Sequence, residues 1–202
     1  MYIFSKFNYE YNYYWAKIKK IISESQQDIN CLKDNPSSEM LINMLIAGED
    51  KRFRYHIGVD VIAIFRAAMH NILGKREGGS TINQQLVRVL TGMNEPTLYR
   101  KILEIILAIK VDHYVDKKTI ALLYLNKAYY GFNFYNLDKI LRKYGCDKYS
   151  IFNPKLGAEI VARLKYPEPR NKESFKIKKI KKRVDYLLKL YNKSFYRLVY
   201  EY

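Results

Sequence analysis

The sequence predicts a mainly α protein, and three observations carry that reading. Apolar residues recur at helical spacing in segment after segment, whereas no long apolar/polar alternation of the strand type appears. Capping residues precede several of those segments. Nine glycines and five prolines in 202 residues are too few for a many-turned β sandwich. With 49% hydrophobic residues, the chain has enough apolar material for a real core.

The elements follow in order. Residues 1–35 form an aromatic and basic segment, "MYIFSKFNYEYNYYWAKIKKII" and its continuation. An amphipathic helix packed on the domain is one reading. The other is an interfacial helix, with Trp15 and the tyrosines at headgroup level and Lys17, Lys19 and Lys20 facing anionic lipid. "KDNPSS" at 33–38 reads as a loop, with Ser37 or Ser38 capping the next helix. Asp60 is the expected N-cap of a helix whose Ile62, Phe65, Met69 and Ile72 share a face. Thr81 and Gln84 fit a capping box, opening a helix that turns Ile82, Leu86 and Val89 or Leu90 inward. Leu98, Ile102, Ile105 and Ile109 make a third stripe, and Ile120, Leu123 and Tyr124 a fourth. Pro154 sits at a helix start. Pro167 and Pro169 break the chain in "KYPEPRNKES". "FKIKKIKKRVDYLLKLY" reads as a basic amphipathic helix. Residues 36–202 are expected to form one domain after the N-terminal segment.

Charge narrows the partners. Lys and Arg number 36 against 20 Asp and Glu, a formal +16, which favours polyanions, anionic lipid surfaces or phosphate-bearing substrates. No aromatic platform motif of an RNA module is present, so nucleic acid is not an expected partner. Cys31 and Cys146 lack CxxC spacing and read as reduced thiols. His56, His70 and His113 lack HExxH spacing and carry no metal assignment. No apolar run approaches the length of a transmembrane helix, and no signal peptide is recognisable.

Four stretches hold residue types suited to chemistry. In "GEDKRFRYHIGVD", 48–60, Glu49 and Asp50 end an apolar segment, where partial desolvation would tune a carboxylate for proton transfer; they read equally as surface charges. In "GGSTINQQ", 78–85, a glycine turn feeds Ser80 and Thr81 into a helix N-terminus, a place for an anion or simply a capped turn. In "RKILE", Arg100 and Lys101 share a helix face with Glu104, leaving positive charge over for a phosphate, or forming only a surface ion-pair cluster. In "YLNKAYYG", Asn126 follows an apolar helix that Gly131 closes, which by itself is packing and a C-cap.

Together, in this order, these stretches resemble the motifs of the family 51 glycosyltransferases, the peptidoglycan glycosyltransferase domain of penicillin-binding proteins and monofunctional transglycosylases. The resemblance covers about residues 36–190. Glu49, Asp50, Phe53, His56 and Gly58 match E-D-x-x-F-x-x-H-x-G. Residues 78–85 match G-G-S-T-I-x-Q-Q, and Arg100, Lys101 and Glu104 match R-K-x-x-E. "KKRVDYLLKL" loosely resembles the final basic motif.

The resemblance implies a lysozyme-like helical lobe with a smaller membrane-proximal jaw lobe. It implies an inverting enzyme that polymerises lipid II into β-1,4 glycan strands. By motif position Glu49 is the general base and Glu104 the second catalytic glutamate. Asp50, Phe53, His56, Gly79, Ser80, Thr81, Gln84, Gln85, Arg88, Arg100, Lys101 and Asn126 are the implied substrate-binding residues. Mg²⁺ or Mn²⁺ would accompany the substrate diphosphate, with no protein ligands assigned. The implied partners are lipid II, the growing glycan chain, an anionic membrane surface and cell-wall synthesis proteins. The implied place is the bacterial cytoplasmic membrane, peripherally, with no side assigned. Rival readings are transfer from another undecaprenyl-diphosphate sugar, a lysozyme-like hydrolase and an inactive membrane-binding relative. The chain departs from the family pattern where Asn83 replaces Thr, Val89 replaces Asn, Arg88 replaces Lys and Pro96 replaces an Arg; "FNFYNL" also lacks glycines often found there.

Overall fold

The computed structural model describes residues 2–75, 78–171 and 174–200. Among these residues the chain forms ten helices and no strand: α1 (Tyr2–Glu24), α2 (Gln26–Lys33), α3 (Pro36–Glu49), α4 (Val61–Ile72), α5 (Ile82–Thr91), α6 (Leu98–Tyr114), α7 (Lys117–Lys127), α8 (Leu137–Lys143), α9 (Pro154–Lys165) and α10 (Ser174–Tyr200). The mainly α expectation is met. Contacts gather the chain into two compact units, one of residues 1–27 with 52–124 and one of residues 28–51 with 125–202. Lys172 and Glu173 of "KYPEPRNKES" lie outside the described residues.

In the first unit, α5 and α6 pack together and α1 packs on both. Ile18 and Ile22 of α1 are buried, so this helix belongs to the domain core. Its Lys17 Nζ donates to the Thr91 carbonyl at 2.9 Å, placing a cation at the negative end of α5. Gly92, left-handed at φ +80°, is the C-cap of that helix. The capping box forms as expected: Thr81 Oγ1 accepts from Gln84 N, and Gln84 Oε1 accepts from Thr81 N. Ile82, Leu86 and Leu90 turn inward, while Val89 is exposed.

Two of the apolar stripes are not the buried faces of their helices. In α6 the buried set is Leu103, Leu107, Ala108 and Val111; Leu98 and Ile102 face solvent. The helix carries apolar residues on both sides, and packing on α5 chooses which side is core. In α4 the Ile62, Phe65, Met69 and Ile72 face forms but is exposed, and Ala67 is the buried residue. Asp60 caps this helix through Ala63 N at 3.1 Å.

In the second unit α3, α9 and α10 pack on one another. The N-cap of α3 is Asn35, whose Oδ1 accepts from Ser37 N at 2.8 Å, with Pro36 in the first turn. This corrects the Ser37 or Ser38 expectation. Ser37 is buried and its Oγ accepts from Phe152 N, a long-range partner that local sequence does not reveal. Pro154 opens α9 behind an Asn153 cap, as expected. Helix α7 ends at Lys127, so Gly131 is not its C-cap. Gly131 instead bridges to Phe134 and Glu168, and a Cβ there would come within 2.2 Å of Glu168 N.

Candidate active site

The first unit brings the glycine-rich turn and the R-K-x-x-E stretch together. Thr97 caps α6 through Arg100 N, fixing the phase of the helix. Arg100 and Lys101 then fall one turn before Glu104, on the same face. Lys101 Nζ reaches Glu104 Oε1 at 2.5 Å, and Arg100 Nη1 bonds Glu104 Oε2. From α5, Arg88 adds Nε and Nη2 to the same Oε2, each at 3.1 Å. Glu104 has no solvent exposure, whereas the side chains of Arg88 and Lys101 are 37% and 31% exposed.

Burial alone would push the Glu104 carboxyl up. The Lys101 hydrogen bond and the charges of Lys101 and Arg88 outweigh it and hold the group below its ordinary range. Glu104 is therefore an anion at neutral pH. Three positive charges against one negative leave a net +2, on side chains that are 15% to 37% exposed. Such an arrangement suits a phosphate or diphosphate.

Lys101 Nζ also contacts Ser80 Oγ at 3.2 Å, tying the glycine turn to the cluster. The two glycines before Ser80 differ in role. A Cβ on Gly79 would come within 3.1 Å of the Ala63 carbonyl and Ile64 Cα of α4, while Gly78 has open space around it. Thr81 and Gln84 are buried and bond each other, and Thr81 Oγ1 donates to the Gly58 carbonyl at 2.7 Å. They build the turn that aims Ser80. Gln85 Oε1 accepts from the Tyr124 hydroxyl at 2.6 Å.

Phe53 and His56 are buried edge to face, their ring centroids 6.0 Å apart. Lys117, a residue that motif reading passed over, holds this loop. Its Nζ donates to the His56 carbonyl and to Asp112 Oδ1, both at 2.6 Å, and sits 4.9 Å from the Phe53 ring centroid. Asp112 Oδ1 also accepts from Asn83 Nδ2 at 2.9 Å. The amide at the departure position 83 thus joins α5 to α6. Pro96 is exposed, just before the α6 cap.

The second unit holds Glu49, Asp50 and Asn126. Glu49 is the last residue of α3, with its side chain 14% exposed. Its Oε1 accepts from Arg183 Nη2 of α10 at 2.6 Å. Asp50 is buried at the C-cap, its N–H donating to the Ile46 carbonyl. Asn126 lines a polar pocket of about 320 Å³ with Asp28, Asn136, Asp138, Arg142 and Lys148. Arg183 carried no assigned role in the sequence, yet a signal exists: it sits on the buried face of α10 with Ile180, Val184 and Leu187, where a charge needs a partner.

The donor set does not fit a resident metal. Among the described residues no group of three His, Cys, Asp or Glu could hold one, and both Glu104 oxygens already face cations. No helix of the described residues is long and apolar enough to cross a membrane.

A transglycosylase family model matches residues 16–192. This chain belongs to the transglycosylase family. Its relatives include penicillin-binding protein 1A of Aquifex aeolicus, 45% identical over 108 residues, which cover 52% of this chain and 15% of that protein. Penicillin-binding protein 1A of Rickettsia felis is 37% identical over 158 residues, 76% of this chain and 20% of the relative. Penicillin-binding protein 1F of Bacillus subtilis is 34% identical over 129 residues, 59% and 18% respectively. The transglycosylase chain thus spans a fifth or less of the length of these relatives.

Proposed function

We propose that this transglycosylase is a peptidoglycan glycosyltransferase that polymerises lipid II with inversion. The carrying observation is the buried, ionised Glu104 beneath three cations, a preformed receptor for a departing diphosphate. In the reaction, Glu49 takes the proton of the acceptor's 4-hydroxyl. The acceptor oxygen bonds to the anomeric carbon of the donor as the bond to the diphosphate breaks. The electron pair leaves with the undecaprenyl diphosphate, whose charge Arg88, Arg100 and Lys101 meet. General-base assistance of this kind contributes on the order of 10²–10⁴ in rate. Phe53, His56, Gly79, Ser80, Thr81, Gln84 and Gln85 of the first unit, and Asp50 and Asn126 of the second, are the further proposed substrate-binding residues, several of them by shaping backbone. Mg²⁺ or Mn²⁺ enters this proposal as a companion of the substrate diphosphate.

The membrane belongs to the same proposal. Helix α4 exposes Val61, Ile62, Phe65, Met69 and Ile72, an apolar face of the kind that meets a lipid surface, and the chain's +16 charge favours anionic headgroups. We place the protein at the bacterial cytoplasmic membrane, with the growing glycan and cell-wall synthesis proteins as partners.

The test is glycan polymer formation from labelled lipid II in detergent, read on a gel, beside a second incubation with preformed peptidoglycan. Polymer from lipid II supports the reading. Release of sugar from preformed glycan without polymer would replace it with a lysozyme-like hydrolase.

A further inference from the structure

The final basic helix does more than contribute charge. Ile180, Val184 and Leu187 place its apolar face in the core of the second unit, and Arg183 lies on that same face, 8% exposed. Burying a guanidinium is costly unless it is paired. One nitrogen, Nη2, donates both to the Gly48 carbonyl at 2.7 Å and to Glu49 Oε1 at 2.6 Å. The guanidinium carbon lies 5.0 Å from the Tyr186 ring centroid, which adds a cation–π contact. Gly48 O is among the last carbonyls of α3, so the cation also sits at the negative end of that helix.

Gly48 makes this seat fit. A Cβ there would come within 2.7 Å of Leu187 Cδ2 and 2.9 Å of Arg183 Nη2. The glycine is needed for space, since its backbone is not in the left-handed region. A side chain at the last residue of a helix has little of its own helix to fix it. Here Arg183 grips Oε1, and among the described residues Oε2 stands outside this ion pair.

We propose that Arg183, seated by Gly48, is a positioning residue for glycosyl transfer: it fixes the Glu49 carboxylate through Oε1 and presents Oε2 to the acceptor's proton. This rests on Glu49 being the general base. A cap alone would need only a positive charge near the α3 carbonyls. Sharing one nitrogen between cap and carboxylate couples the helix end to the orientation of the base, which a flexible ammonium reproduces only in part.

The test compares full-length wild type, Arg183→Met, Arg183→Lys, Gly48→Ala and Arg163→Met, with Glu49→Gln as reference. The last arginine, Arg163, is buried and bonds Glu159 and Glu168, so its loss reports destabilisation without touching Glu49. Rates from lipid II are measured where circular dichroism shows each variant folded. Arg183→Met is expected to lose about 10²-fold in kcat, the order associated with a misplaced catalytic group. Its KM should stay within about threefold of wild type, and so should the kcat of Arg163→Met. Arg183→Lys should recover part of the loss, Gly48→Ala should lose kcat in the same sense, and added guanidinium ion should speed Arg183→Met but not Glu49→Gln.

Equal kcat losses in Arg183→Met and Arg163→Met, or a loss confined to KM, overturn the proposal. If Arg183→Met does not fold, wild-type kcat in both Arg183→Lys and Gly48→Ala overturns it. A wild type that makes no polymer, or a Glu49→Gln variant that does, defeats the underlying assignment of Glu49 instead, whatever the Arg183 variants do.

Discussion

Glu104 and Glu49 are both glutamates held by arginine, and their surroundings are opposite in kind. Glu104 has no exposure and meets three cations through both oxygens. Glu49 is 14% exposed and, among the described residues, meets one cation through one oxygen. A carboxylate outnumbered by cations cannot readily accept a proton, but it can organise positive charge for an incoming anion. A carboxylate with a single partner forms a neutral pair and keeps a lone pair for chemistry. The difference divides the labour of the proposed reaction: Glu104 builds the receptor for the leaving group, and Glu49 handles the proton.

The largest expected effect breaks the comparison at Glu49. Glu49→Gln should reduce polymer formation by about 10²–10⁴-fold, the contribution of a general base, while the fold survives. Retained glycan synthesis in the gel assay would move the proton transfer elsewhere.

Glu104→Gln should also cut the rate severely, but with a stability cost of its own. Removing the carboxylate leaves Arg88, Arg100 and Lys101 facing one another. Urea unfolding should show a loss of about 3 kcal/mol, at the low end for a broken buried pair because the cations are partly solvated. Wild-type turnover in this variant would reduce the cluster to a structural ion pair.

The pH dependence sharpens the contrast. Glu104 titrates below its ordinary value of 4.5 in the folded protein. Its contribution to stability is therefore complete above about pH 4.5 and is lost as the pH falls through the lower folded value. The gap in melting temperature between wild type and Glu104→Gln should be constant from neutral pH down to that point and close below it. A gap that widens in acid would reverse the sign.

Inorganic pyrophosphate should protect backbone amides near residues 80–104 from hydrogen exchange more than those near Glu49, and Arg88→Ala should weaken that protection. Equal protection at both places would remove the reason for separating receptor from base. The smallest effect concerns the family departure at position 83. Asn83→Leu should cost about 1 kcal/mol in urea unfolding through the lost bond to Asp112, with a smaller change in rate.

Much of the fold was legible residue by residue. The Thr81–Gln84 capping box, the Asp60 cap and the Pro154 helix start are local devices, made by atoms a few positions apart. The charge cluster was half legible: helical spacing puts Arg100 and Lys101 beside Glu104, whereas the approach of Arg88 from another helix needed the motif resemblance even to be suspected. Other features had no local signature. The core side of α6 was not legible because both of its faces are apolar. The exposed side of α4 looks on paper like any core stripe. Asn35 is the cap in place of the serines, and Ser37 instead accepts from Phe152, more than a hundred residues away.

By itself the sequence determined the helical class, several helix starts and the residue types that can carry glycosyl transfer, because periodicity and capping act over a few residues. Only the tertiary structure decided which apolar faces are buried, that Gly79 rather than Gly78 admits α4, and that Arg183 grips Glu49. Those outcomes depend on which surfaces meet across long stretches of chain, and the free energy of such meetings is written in no single segment.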